Sequence, residues 1–209
     1  MAYDLQEQEQ IDEAKVWWKE HGNKVIWGVT VFLLAAGGWR AWETWSRNQA
    51  AEASMLFDQA VQAVGVNDAK AAKQITAGIM ENHGRSAYAT PAAWLAARLN
   101  YETNDLKSAR AQYQYALDHA RDEGTRQLAR LRLAAVMFEE KDLAGALAQL
   151  QAPFAPAFTG LAEQLRGDIL MAQGKAAEAK AAYKLALEKL DDKSSLKPLV
   201  ELRLDAMGG

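Results

Sequence analysis

A run of uncharged residues near the N-terminus constrains this chain more than any other feature of its sequence. The run extends from Val25 to Trp39, and Arg40 follows it. Five tryptophans mark its two ends: Trp17, Trp18, Trp39, Trp42 and Trp45. Because a helix rises about 1.5 Å per residue, Trp18 and Trp39 are expected to lie about 30 Å apart, the thickness of a bilayer's hydrocarbon core. The pattern predicts a transmembrane helix at residues 25–45 with aromatic anchors at both membrane interfaces.

A cleaved signal peptide is the main alternative to this anchor, because its apolar region has a similar length. The segment before such a region is normally positive, whereas residues 1–24 contain six acidic residues and three lysines. A buried core helix is a second alternative, but a soluble core rarely collects so many tryptophans at its two ends. The composition therefore favours an uncleaved signal anchor.

The orientation of the span is predicted from its basic flanks. Three lysines precede it and two arginines follow it: Lys15, Lys19, Lys24, Arg40 and Arg47. Because basic residues are enriched on the cytoplasmic side, this count favours a cytoplasmic segment at residues 1–24 and a translocated domain at residues 46–209. Long domains can cross the membrane regardless of charge, so the opposite orientation is the alternative.

Charge and composition exclude several classes of function. Residues 46–209 contain twenty basic and twenty acidic residues, so this part lacks the basic stripe that nucleic-acid binding requires. Cysteine is absent, which removes disulfides, thiolate nucleophiles and cysteine-ligated metals. The histidines His21, His83 and His119 do not have metal-ligand spacing. We expect no catalytic residues, no metal and no cofactor, and an enzyme is only the third hypothesis for function.

One pattern recurs four times after the predicted span. A turn-forming pair precedes an alanine by a few residues, and in three copies a large apolar or aromatic residue follows four positions later. The alanines are Ala72, Ala109, Ala146 and Ala179, which are 37, 37 and 33 residues apart. A period near 34 with a polar break between two helical segments is typical of tetratricopeptide repeats. The pattern predicts paired helices in close contact at each alanine.

These features together predict an all-α protein, in which a single N-terminal transmembrane helix precedes a tetratricopeptide repeat-like α-solenoid domain at residues 46–209. Pro153 and Pro156 are expected to end the third repeat early, because proline cannot continue a helix. A segment at residues 196–207 is expected to form the helix that covers the last repeat. An irregular helical bundle is the alternative fold.

Four aromatic residues are candidates for partner binding. Trp94 and Tyr101 lie in the predicted first helix of a pair, and first helices line the concave face of such arrays. Phe154 and Phe158 lie in an apolar segment, residues 153–160, which we predict to be a connection longer than a repeat needs. Aromatic side chains supply contact area to a partner at low entropic cost, so both places are candidate contact surfaces.

Three local motifs occur in order along the chain. Residues 11–22 combine acidic residues, lysines, paired tryptophans and a glycine, and residues 38–42 read GWRAW. In the domain, residues 131–134 read LRLA and residues 165–168 read LRGD. In this order and spacing the motifs resemble the YfgM family, the ancillary subunits of the bacterial Sec translocon, over nearly the whole chain.

The resemblance implies a single-pass protein of the bacterial inner membrane with a cytoplasmic N-terminus and a periplasmic repeat domain. Family members are associated with the SecYEG channel and with PpiD, a membrane-anchored periplasmic chaperone, and are thought to assist proteins emerging from the channel. The family is also linked to the stress regulator RcsB through its cytoplasmic segment. The leading hypothesis is therefore a translocon-associated adaptor. The alternative is a membrane-tethered regulator whose acidic N-terminal segment captures a cytosolic partner.

Overall fold

Helices make up nearly all the secondary structure of the chain. The computed structural model describes the backbone of residues 2–208 and the side chains of residues 11–208. Gly209, which belongs to the predicted domain, lies outside the described residues. So do the side chains of residues 1–10, which belong to the predicted acidic segment. Within them there are nine helices and no strand: α1 Ala2–Gly65, α2 Ala69–Asn82, α3 Ala89–Glu102, α4 Leu106–Asp118, α5 Glu123–Glu139, α6 Leu143–Gln149, α7 Pro156–Ala172, α8 Ala176–Lys189 and α9 Lys197–Ala206. The predicted all-α fold is confirmed.

The chain divides into two structural units, Met1–Ala51 and Glu52–Gly209. The first unit consists of the N-terminal part of α1, which contains an apolar window long enough to cross a membrane. None of that window is buried inside the protein, and α1 is the one helix in the described part of the chain with this length and composition. The last turns of α1 belong to the second unit, where Ala53 is buried with Ile79 of α2 and Ala92 of α3.

The four breaks of the repeat share one backbone conformation. The residue that begins each break has a positive φ between 59° and 75°: Asn67, Asn104, Lys141 and Gly174. In the first three, the next residue is an aspartate whose carboxylate accepts a hydrogen bond from a backbone N–H in the first turn of the following helix: Asp68, Asp105 and Asp142. Asparagine and glycine adopt positive φ at low cost, and aspartate is a favoured N-cap. The predicted turns are therefore confirmed, and these preferences explain the turns at Asn67 and Asn104 in full, whereas Lys141 adopts a positive φ without such a preference.

The alanine of each repeat lies at a close contact between helices. Ala72, Ala109, Ala146 and Ala179 are all fully buried. The residues four positions later are buried as well: Thr76, Tyr113, Leu150 and Tyr183. In the tetratricopeptide part, helices that follow one another pack together, from α2 with α3 to α8 with α9. The predicted order of a small residue and then a larger one is confirmed as the packing rule of this domain.

The third repeat departs from the others around its prolines. The short helix α6 has seven residues, and α7 begins at Pro156, so Phe158 and Gly160 lie in α7. The prediction that residues 153–160 form a connection is therefore wrong for its second half. Proline is favoured in the first turn of a helix, because the backbone N–H that it lacks has no intrahelical partner there. The predicted final helix is confirmed as α9, which buries Val200 and Leu204.

Candidate partner-binding groove

A groove lies between α3 and α5, above a tyrosine from α4. Its volume is about 680 Å³, within the range of ligand pockets. We call it the α3–α5 groove, and its lining residues are Trp94, Leu95, Arg98, Tyr101, Glu102, Tyr113, Leu128 and Arg132. Four of these are apolar or aromatic residues of the two first helices. The groove therefore combines an apolar wall with a few charged groups.

The aromatic residues of the groove differ in how firmly they are held. Trp94 packs edge-on against Tyr113, with ring centroids 5.3 Å apart and an interplanar angle of 74°. Tyr113 is buried, whereas Tyr101 is 44% exposed. Edge-to-face pairs of this kind fix the orientation of both rings. Trp94 is thus a rigid part of the wall, and Tyr101 is available to contact a partner.

The charged residues of the groove are unequally paired. Nε of Arg98 donates to Oε1 of Glu102 at 2.7 Å, one turn later on α3; both side chains are exposed, and this contact raises the pKa of Arg98. Arg132 of α5 is exposed, and no carboxylate pairs with it among the residues that the structure describes. Burial raises the pKa of Tyr113, and the charge of Arg132 opposes that rise. The groove thus contains one ion pair, Arg98 with Glu102, and one arginine outside the ion pairs of the described residues.

A second cavity of about 400 Å³ lies among α5, α7, α8 and α9. We call it the α7–α9 cavity, and its lining residues are Phe138, Asp168, Met171, Tyr183, Arg203, Ala206 and Met207. The hydroxyl of Tyr183 donates to Oδ1 of Asp168 at 2.7 Å, and the guanidinium of Arg203 donates to the same oxygen. Burial raises the pKa of Tyr183, and the hydrogen bond to Asp168 adds to that rise. The polar groups of this cavity thus satisfy one another.

Comparisons with known proteins agree on one family. Residues 15–209 match the family model of a tetratricopeptide repeat-like domain. An ancillary SecYEG translocon subunit of Haemophilus influenzae is 33% identical over 189 residues, covering 89% of this chain and 91% of the relative. The chain belongs to the family of ancillary SecYEG translocon subunits.

Other members of this family match along almost their whole length. The Neisseria gonorrhoeae subunit is 28% identical over 212 residues, which cover 99% of this chain and 100% of that protein. The Escherichia coli subunit is 26% identical over 199 residues, which cover 95% of each chain. The resemblance drawn from the sequence motifs is therefore confirmed at the level of the family.

The structure brings together two of the four aromatic residues predicted to bind partners. Trp94 and Tyr101 both line the α3–α5 groove. Phe154 and Phe158 do not line it; both are half-buried, and Phe154 packs against the main core. Their role in binding stays a prediction, as does that of Trp94 and Tyr101.

The five tryptophans predicted to lie at the membrane interfaces are all on α1. Each is at least half exposed: Trp17, Trp18, Trp39, Trp42 and Trp45. The rings of Trp39 and Trp42 are 5.4 Å apart, and Trp17 stacks on His21 at 5.3 Å. Large exposed aromatic residues at both ends of an apolar helix are typical of membrane-interface anchors. The role of these five tryptophans as anchors stays a prediction.

Sequence reasoning missed five charged residues of the two cavities: Arg98, Glu102, Arg132, Asp168 and Arg203. The sequence did contain a signal for Arg98 and Asp168. The two best copies of the repeat are offset by 70 residues, so these two residues occupy equivalent positions. No signal identified the arginines that α5 and α9 contribute, because each comes from the helix that follows the pair carrying the tyrosine.

Proposed function

We propose that this family member is a single-pass inner-membrane adaptor associated with the Sec translocon. Residues 1–24 lie in the cytoplasm, residues 25–45 cross the membrane, and residues 46–209 form a periplasmic domain. That domain binds a PpiD-type periplasmic chaperone and assists proteins emerging from the SecYEG channel. The α3–α5 groove is the observation that carries this proposal, because it offers a peptide-sized apolar surface on a rigid helical array.

The groove has the composition of a protein-binding surface. Aromatic residues are enriched at the energetic centres of interfaces, and the groove contains Trp94 and the exposed ring of Tyr101. Arg98 and Arg132 supply polar contacts at its edge. Such a surface suits segments of other proteins better than a small polar metabolite, because much of the lining is apolar.

The membrane anchor supports the same function. A tether raises the effective concentration of the domain next to other membrane-bound partners, so a modest affinity in the groove is sufficient. The tryptophans on α1 contact lipid at the interfaces, and the span itself holds the domain beside the translocon. We expect the anchor and the domain both to contribute, with neither sufficient for full association.

The acidic N-terminal segment favours a second candidate function. Residues 1–24 contain six acidic residues and three lysines, a charge that can attract a basic surface of a cytosolic protein. In this alternative the chain restrains an RcsB-type response regulator at the membrane. The two functions use opposite sides of the membrane and are compatible.

Photo-crosslinking in cells separates the two functions. A photoreactive residue in place of Tyr101 should crosslink to SecYEG subunits or to the PpiD-type chaperone, and one in place of the exposed Ala181 on α8 should not. A photoreactive residue in place of Glu13 tests the cytosolic regulator in the same way. Equal crosslinking from Tyr101 and Ala181 would exclude the groove as the specific contact.

Fusion proteins test the orientation. A C-terminal alkaline phosphatase should be active, because it folds only in the periplasm. A C-terminal fluorescent protein that folds only in the cytoplasm should be dark. The opposite pair of results would place the domain in the cytoplasm and end the adaptor proposal in its present form.

A further inference from the structure

The α3–α5 groove and the α7–α9 cavity occupy equivalent places in two repeats. Tyr113 and Tyr183 are 70 residues apart, and each follows the buried alanine of its repeat by four positions. Each tyrosine comes from the second helix of its pair. In both places the next helix adds an arginine, Arg132 from α5 and Arg203 from α9. Both sites therefore combine the equivalent tyrosine with an arginine of the following helix, and the two arginines are one position apart in the 70-residue alignment.

The α7–α9 cavity shows what this tyrosine and arginine bind. Oδ1 of Asp168 accepts hydrogen bonds from both the Tyr183 hydroxyl and the Arg203 guanidinium. The Asp168 side chain is 13% exposed, and its other oxygen accepts from Gln164. A carboxylate that bridges a phenol and a guanidinium forms charge-assisted hydrogen bonds to both groups. In this repeat the protein supplies the carboxylate itself.

The α3–α5 groove also contains a tyrosine and an arginine, but its one lining carboxylate, Glu102, pairs with Arg98. Arg98 occupies the position equivalent to Asp168, and it pairs with Glu102 of its own helix. Within the described part of the chain, neither the Tyr113 hydroxyl nor Arg132 contacts a carboxylate. Counting Arg98, Glu102 and Arg132, the groove has one net positive charge. A tyrosine and an arginine, which bind a carboxylate in one repeat, thus line an open groove in the other.

We propose that the α3–α5 groove binds a segment of a partner protein through an aspartate or glutamate side chain, which lies between Tyr113 and Arg132 as Asp168 lies between Tyr183 and Arg203. This inference rests on the proposed function, since it names the chemistry of the partner in the same groove. Tyr113 and Arg132 would select acidic segments, whereas the apolar wall alone does not distinguish acidic from neutral segments.

The apolar wall determines what surrounds the acidic residue. Trp94, Leu95 and Leu128 line the groove beside the two donors, and a free inorganic anion would leave these side chains uncovered. A peptide segment covers them if it carries an apolar or aromatic residue close to the acidic one. The volume of about 680 Å³ accommodates several side chains. The ligand is therefore an extended acidic and apolar segment.

Peptide binding to the full chain in phosphatidylcholine nanodiscs tests the proposal. The probes are fluorescein-labelled, C-terminally amidated dodecapeptides of Gly and Ser that contain one Phe and, one to three positions later, one Glu. Each has a twin with Gln in place of Glu, and a third set has a free C-terminal carboxylate with no Glu. Because hydrogen bonds to charged groups are the strong ones, the best Glu peptide should bind at least about tenfold more tightly than its twin.

Two variants locate the effect. Arg132→Gln should remove most of the preference for Glu over Gln, and Tyr113→Phe should reduce it while keeping the ring that packs on Trp94. Lys184→Gln removes a charge that is also exposed from α8, outside both cavities, and should leave the preference unchanged. Far-UV circular dichroism of each variant identifies any that is misfolded.

Several outcomes would overturn the inference. These are equal binding of Glu and Gln peptides, a preference that survives Arg132→Gln, binding of only the peptides with a free C-terminal carboxylate, and no binding of any peptide. None of them decides the proposed function, because crosslinks from Tyr101 to SecYEG or to the chaperone test that independently of peptide charge. Conversely, loss of those crosslinks with the Glu preference intact would reject the translocon partners and retain the chemistry of the groove.

Discussion

The α3–α5 groove and the α7–α9 cavity are built from equivalent helices but treat charge in opposite ways. In the cavity, Asp168 neutralises Arg203 and holds Tyr183. In the groove, the equivalent position carries Arg98, and Arg132 stays exposed. The residue at this position of the first helix is thus one of the differences between a repeat whose donors are satisfied internally and one whose donors line an open groove. In the C-terminal repeat, the hydrogen bonds of Asp168 attach α9 through Arg203. In the earlier repeat, Arg132 is not used in this way and stays exposed.

A second difference lies one position earlier on the same helix. A Cβ atom on Gly167 would lie 2.4 Å from the Tyr183 ring, so this glycine lets the ring approach the backbone of α7. The equivalent residue in α3 is Ala97, and there Tyr113 packs against Trp94 instead. The glycine thus leaves room for the Tyr183 ring next to α7, whereas Ala97 carries a Cβ atom at the equivalent place in α3.

Removing the carboxylate of the closed repeat should have the largest effect. Asp168→Ala leaves Arg203 and the Tyr183 hydroxyl without their partner, and we expect the free energy of unfolding to fall by about 3 kcal/mol, the low end for a broken buried pair because Arg203 is partly exposed. Urea denaturation of the full chain in detergent, followed by circular dichroism, measures this. Arg98→Ala in the open repeat is the matched control and should cost less than about 0.5 kcal/mol. Similar losses for both variants would remove the distinction between the two sites.

Enlarging the buried alanines should affect both repeats alike. Ala109→Leu and Ala179→Leu force a larger side chain into a close helix contact, and each should cost about 1 to 3 kcal/mol in the same denaturation experiment. The exposed residues Ala111 and Ala181 lie two positions later on the same helices. Their exchange for leucine should change stability by less than about 0.5 kcal/mol. If the buried and exposed exchanges were equivalent, the repeat alignment would be wrong.

Adding one methyl group at Gly167 tests the close approach of Tyr183. Gly167→Ala should lower the stability by about 1 to 2 kcal/mol, because the new Cβ overlaps the tyrosine ring. Gly78 of α2 is the control, since a Cβ there would meet nothing within 4 Å. Gly78→Ala should raise the stability by about 0.5 to 1 kcal/mol through helix propensity. A neutral or stabilising Gly167→Ala would show that the glycine does not position the ring.

The smallest expected effect concerns the turns of the two repeats. Asp105 caps α4 through a hydrogen bond to the Ser108 N–H, whereas Lys175, at the equivalent place before α8, provides no side-chain cap. The backbone angles of the two residues are nearly the same, so Lys175→Asp should raise the stability by about 0.5 to 1 kcal/mol. The reverse exchange, Asp105→Lys, should lower it by a similar amount. If Asp105→Lys lowered the stability but Lys175→Asp did not raise it, the missing side-chain cap would not be what limits the stability of the turn before α8.

The sequence predicted most of the fold because the repeat is encoded in local patterns. Asn104 with Asp105 specifies a turn and a cap within two residues, and Ala109 with Tyr113 specifies a contact within one helical turn. Such signals need no knowledge of distant residues. The start of α7 at Pro156 was missed because proline lacks a backbone N–H. That property ends a helix when proline follows it, and it is tolerated when proline lies in the first turn of the next helix.

The candidate groove was predicted only in part, for a related reason. Trp94 and Tyr101 were found because aromatic residues on a first helix are visible in the sequence. Arg132 was not found, since it reaches the groove from the next repeat, 31 residues after Tyr101. Whether Arg132 is available to a partner depends on which carboxylates lie close to it in the folded chain. The spacing of residues along the sequence does not show this.

By itself the sequence determined that this chain has an apolar helix long enough to cross a membrane and a repeated helical pair, because hydrophobicity, turn residues and small residues act over one or two helical turns. Tertiary structure alone decided which charged groups meet. Tyr183 and Arg203 come from two helices and bind one oxygen of Asp168 from a third, while Tyr113 and Arg132 line a groove whose carboxylate, Glu102, pairs with Arg98. Charge pairing depends on distances across helices, and only the packed fold sets those distances.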